Sequence, residues 1–187
     1  MVEQTGLLDQ PFHYTESRER KLPATYEPIA TTTLGSAAAS ITFSSIAATY
    51  TDLKVIFVVQ NSVSNTLNFR LNNDSGTNYS YTQLGGDGSS VYSASSTSQS
   101  QIQIGYGSGM PTSPNWGLYV FNVFSYAGST FKTVLTEMSV DKNGSGEANR
   151  NVGLWRSTSA VTRIDLLANA GSFQIGTTAT LYGIKNA

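Results

Sequence analysis

The chain has 187 residues, only 12% of them charged against a usual ~25%, and a formal net charge of −1. That balance supplies no basic field for a phosphate backbone or an anionic membrane, so neither nucleic acid nor membrane is expected as a partner. The absence of cysteine excludes disulfide frameworks, thiolate catalysis and Cys-ligated metals.

No stretch approaches the ~18 apolar residues of a membrane-spanning helix, and the first residues lack the basic and apolar regions of a signal peptide. Residues 1–22 stand apart in composition. Glu3, Asp9, Glu16, Arg18, Glu19, Arg20 and Lys21 are seven of the chain's 23 charged residues, and the rest of the chain carries eight acidic and eight basic ones. Val2, Leu7, Leu8, Phe12, Tyr14 and Leu22 are scattered among them without a period, and Gly6 and Pro11 interrupt the segment. This is more apolar content than a purely disordered tail needs. The segment reads as an extended docking arm, with Val2, Leu7, Leu8, Phe12 and Tyr14 as anchors and Arg18, Arg20 and Lys21 as a polar rim.

Residues 23–187 read as one β-rich body. Pro28 to Leu34 is a first edge strand, with Pro28 suited to its start. Ser40 to Ser44 alternates as a half-buried strand does. Asp52 to Gln60 is the most apolar run and reads as a central strand, with Leu53, Val55, Phe57 and Val59 on one face and Ile56 and Val58 on the other. Leu67, Phe69 and Leu71 alternate with Asn68 and Arg70, and Asn72 to Gly76 form a turn. Asn78 to Leu84 place Tyr79 and Tyr81 on one face. Gly85 to Ser90 and Gly105 to Asn115 read as loops around a strand at Gln101 to Ile104.

Trp116 to Phe124 is apolar on both sides, which predicts a strand covered on both faces. Phe131 to Asp141, Asn149 to Arg156, Arg163 to Ala168 and Ala179 to Ile184 complete the strands, and Ser36 to Ala39 and Ile46 to Thr49 are short enough for single turns. Nine or ten short strands without a helical period predict an all-β antiparallel sandwich, a jelly roll being the expected arrangement. Ten Tyr, eight Phe and two Trp supply its core.

The residues offer little catalytic chemistry. His13 is the one histidine, lies in the arm and has no ligating neighbour. No Gly-x-Ser-x-Gly elbow occurs, and Gly105 to Met110 lacks both the last glycine and the helix of a dinucleotide loop. Asp141 to Glu147 has the oxygen-rich composition of a calcium loop but not its spacing, so it reads as a hairpin turn. Neither Asp74 with Asp87 nor Glu137 with Asp141 can be paired as glycosidase carboxylates from sequence. No enzyme activity, cofactor or metal is expected. Tyr92, Tyr106 and Trp116 lie in or beside polar loops, where exposed rings could stack on a sugar.

Several segments resemble a recurring β-module of tailed bacteriophages. They are Tyr26-Glu27-Pro28-Ile29-Ala30, Ser40 to Ile46, Tyr50 to Ile56, Asn78-Tyr79-Ser80-Tyr81, Val152-Gly153-Leu154-Trp155 and Leu181 to Asn186. The resemblance covers roughly residues 26–187 and leaves the arm outside. It implies a virion structural protein with a β-sandwich body and carries no catalytic residues. A capsid decoration, or cement, protein is the first expectation: a trimeric body on the capsid exterior whose arm staples neighbouring subunits of the major capsid protein. A tail-associated protein that recognises a host surface glycan is the alternative. A fibre protein would be expected to carry a shaft, and none is read here.

Overall fold

The computed structural model of the protein describes residues 25–105 and 109–185, so the arm expected at residues 1–22 lies outside the described residues. Twelve strands, all paired antiparallel, make two sheets and no helix is present among the described residues. In chain order they are β1 (Tyr26–Thr33), β2 (Ser40–Phe43), β3 (Asp52–Val59), β4 (Leu67–Leu71), β5 (Tyr79–Gly86), β6 (Val91–Gln99), β7 (Ile102–Ile104), β8 (Gly117–Val123), β9 (Lys132–Asp141), β10 (Gly146–Trp155), β11 (Ile164–Ala168) and β12 (Thr178–Ile184).

The eight-stranded sheet has the order β1-β12-β3-β8-β9-β10-β5-β6, and the four-stranded sheet the order β2-β11-β4-β7. Setting aside the hairpins β5–β6 and β9–β10, the chain alternates between sheets at every step from β1 to β12 except from β4 to β7, which are neighbours in the four-stranded sheet. Four strands then face four, which is the double Greek key of a jelly roll. The two hairpins pair with each other and extend the first sheet beyond β8.

Period-two patterning explains the sandwich. In β3, Leu53, Val55, Phe57 and Val59 are all fully buried, while Val58 on the other face is 39% exposed. Phe121 of β8 stacks on Phe69 of β4 at 4.7 Å between ring centroids, joining the two sheets. Phe57 meets Phe173 edge-on at 5.2 Å. Tyr79 brings its hydroxyl into the core and satisfies it on Leu71, donating to the carbonyl at 3.0 Å and accepting from the N–H at 3.0 Å. Pro28 sits in edge strand β1 at a shift in register between Pro28 and Ala30, where its missing N–H costs no ladder bond.

Two glycines in the segments quoted above permit close approaches. A Cβ on Gly153 would stand 2.8 Å from Ile102 Cγ1, so β7 packs directly on the backbone of β10. A side chain on Gly183 would collide with the Tyr50 ring, which lies against β12.

Four sequence readings need correction. Gly85 and Gly86 belong to β5, and only the residues from Asp87 to Ser90 form the connection. The serine-rich run Val91–Gln99, left unassigned by periodicity, is the edge strand β6. It pairs on one side only and buries little, so Ser and Thr suffice there. β8 is covered on one face, not two: Leu118 and the following Phe124 are each 42% exposed. The segments at 36–39 and 46–49 form bends and an isolated bridge of Ala38 with Phe173 instead of turns.

Candidate functional site

The arm residues Val2, Leu7, Leu8, Phe12, Tyr14, Arg18, Arg20 and Lys21 lie outside the described residues. The Lys185 N–H donates to the Thr25 carbonyl at 3.2 Å, so the two ends of the described chain lie side by side at the β1 edge. Lys185 Nζ pairs with Glu27 at 2.8 Å. The bond from Glu27 holds the Lys185 ammonium above its ordinary pKa. Lys185 Nζ also stands 5.5 Å from the Tyr50 ring centroid, and Lys54 Nζ stands 5.4 Å from that of Tyr26. The start of β1 and the segment after β12 are thus fixed to the sandwich by strand pairing, an ion pair and two cation–π contacts.

Tyr92 is not in a loop. It lies in β6 on the inner face of the large sheet, over Gly85, where only a residue without a side chain leaves room for its hydroxyl. That hydroxyl donates to Glu147 and accepts from Asn149 Nδ2 at 2.8 Å; Asn149 Nδ2 also reaches Gln83 at 3.3 Å. Burial, reinforced by the Glu147 carboxylate, pushes the Tyr92 phenol far above its ordinary pKa. Tyr119, fully buried nearby, is pushed up by the same two causes.

The Tyr119 hydroxyl, Thr136 Oγ1, Asn149 Oδ1 and Asn151 Oδ1 are buried side-chain atoms without a hydrogen-bond partner. They sit on the inner face of β8, β9 and β10, where Gly105 and Gly109, flanking the segment after β7, close on Met138. The patch consists of hydroxyls and amides around one carboxylate, a composition that suits hydrogen bonding.

Trp116 lies before β8 with its ring against Gly176 and is 42% exposed. β8 and β6 are four strand spacings apart, about 19 Å, so Trp116 and Tyr92 do not form one sugar platform. Tyr106 lies outside the described residues.

The remaining polar clusters bind the fold together. Asp165, 2% exposed, takes a bidentate bond from Arg163 and a bond of 2.7 Å from the Thr42 hydroxyl. Asp74 accepts from Trp155 Nε1 at 2.7 Å, Gly76 N–H at 2.8 Å and Asn78 Nδ2 at 2.9 Å. Fully buried Lys132 directs its ammonium to the carbonyls of Gly128, at 2.6 Å, and Thr130. Asp141 caps the β9–β10 turn by accepting from the Asn143 N–H at 2.7 Å, and Asn143 and Gly144 have φ of 62° and 92°. That is the expected hairpin turn. No group of three or more His, Asp or Glu positioned for a metal ion occurs among the described residues.

Sequence reasoning missed the outer face of the eight-stranded sheet. Val58, Leu84, Leu118, Phe124 and Val152 point outward there, each at least 39% exposed. The apolar character of both faces of β8 was its signal. A comparison with family models, with curated proteins and with solved structures finds no match for this chain.

Proposed function

We propose that the protein is a virion structural protein of a tailed bacteriophage, a capsid decoration protein that binds the capsid exterior and staples neighbouring subunits of the major capsid protein through residues 1–22. One observation carries the reading: seven of 23 charged residues fall in the arm, ahead of a jelly roll whose eight acidic and eight basic residues balance. Such a body offers a durable platform, and its jelly-roll architecture also occurs in viral capsid domains. Fold alone does not assign function. The arm is a segment with apolar anchors and a charged rim that can order on a partner. Its root at the β1 edge is fixed by Lys185, Glu27, Lys54 and Tyr26, so tension on the arm is passed to the eight-stranded sheet. The resemblance adds a trimer as the assembly on the particle.

The test is co-sedimentation with capsids that lack the protein. The full chain binds, and residues 23–187 alone stay in the supernatant while keeping their β-sheet spectrum. Equal binding by the truncated chain would sink the stapling role.

The tail-associated reading keeps a single observation, the exposed ring of Trp116 beside Gly176, since jelly rolls also serve lectins. Binding of a host surface glycan that is lost in Trp116→Ala would favour it.

A further inference from the structure

Two neighbouring rows on the outer face of the eight-stranded sheet share an internal symmetry. The registers form these rows across β8, β9, β10 and β5. One row reads Val120, Glu137, Arg150, Leu84, and the next reads Asn122, Leu135, Val152, Thr82. Each row reads alike from either end about a line between β9 and β10: an apolar pair flanks opposite charges in the first, and a polar pair flanks two apolar residues in the second.

A two-fold axis along that line, parallel to the strands, sets Glu137 of one copy against Arg150 of the other and the reverse. The same operation sets Val120 on Leu84, Leu135 on Val152, and Asn122 on Thr82. Within one copy Glu137 and Arg150 already lie 3.5 Å apart with half or more of each side chain exposed. Two copies would close these four charges into a neutral square.

We propose that a second copy of this chain covers the face, making an isologous dimer. Leu84, 64% exposed, and Val152, 50% exposed, would be its central apolar contacts. From β3 to β6 the face is about 29 Å wide and about 20 Å along the strands, roughly 600 Å² per copy. Twice that area meets the lower range of specific interfaces. Apolar side chains so placed on a solvated sheet mark an interaction surface, and charge self-complementarity selects the same chain as the occupant. An isologous contact closes at two copies, so it differs from the trimer that the resemblance implies, and it stands independently of the decoration reading.

Sedimentation velocity of the full chain between about 1 and 100 μM tests the proposal. The expected result is a reversible dimer. E137R makes the square wholly positive and R150E makes it wholly negative, so each weakens self-association about tenfold or more. An equimolar mixture of the two variants restores a dimer, because every facing pair is again opposite in charge. Circular dichroism confirms the fold of both, and their exposed positions leave the core intact. A monomer at all concentrations, a trimer, dimerisation of E137R as strong as the original chain's, or a mixture that stays monomeric overturns the proposal.

Discussion

Replacing Phe121 with Ala tests the core that the two sheets share. Phe121 is fully buried in β8, and its ring stacks on Phe69 of the opposite sheet at 4.7 Å with 14° between the ring planes. Its ladder partners Val55 and Thr136 are buried as well, so no flexible side chain is placed to fill the space. A cavity of that kind costs about 3–5 kcal/mol. At about 2–4 °C per kcal/mol for a chain of this size, the thermal midpoint falls by roughly 6–20 °C. The assay is thermal unfolding followed by circular dichroism, at a concentration where all variants share one oligomeric state. Phe131→Ala is the control: the same side chain, eight residues after Val123 and 53% exposed, where removal costs under about 1 kcal/mol. An unchanged midpoint for Phe121→Ala, or equal losses for both variants, would refute the assignment of the buried face.

Gly153→Ala forces a methyl group against Ile102 where β7 crosses β10, and overpacking there costs about 1–3 kcal/mol, read as a lower urea midpoint. Tyr92→Phe takes a donor from Glu147 and an acceptor from Asn149, and a loss of about 1–3 kcal/mol follows in the same assay. For Asp74, burial raises the pKa, but the bonds from Trp155, Asn78 and Gly76 outweigh it and the net shift is downward. A carboxyl depressed in the folded state stabilises above its unfolded value and loses that contribution as pH falls through its folded value. The Asp74 contribution is therefore present at neutral pH and disappears below about pH 4. Asp74→Asn lowers stability at pH 7 and flattens the acid limb of the stability curve, which urea unfolding at a series of pH values measures.

Most of the body was legible because burial here follows the pleat. The alternation at Asp52 to Gln60 and at Phe131 to Asp141 fixes both strand and face, and the turns at 72–76 and 141–146 carry residues that tolerate positive φ. β6 was illegible because an edge strand needs only backbone pairing, and its Ser and Thr side chains encode almost no burial. Apolar residues on both faces of β8 suggest two coverings because sequence records that a side chain is apolar, not what lies opposite it. The rows on the outer face require the register of β8, β9, β10 and β5 together, and β5 is more than sixty residues before β10. The place of Tyr92 is hidden in the sequence because its partners Glu147 and Asn149 lie more than fifty residues away in the chain. The concentration of charge in residues 1–22, in contrast, is visible as composition alone.

The most direct test of the decoration reading is an electron-microscopic reconstruction of the particle that carries this chain. The account predicts hundreds of copies on the outer capsid surface, with residues 1–22 crossing onto neighbouring capsid subunits. A few to tens of copies confined to the tail, or capsid-bound copies whose first 22 residues touch no capsid subunit, would contradict it.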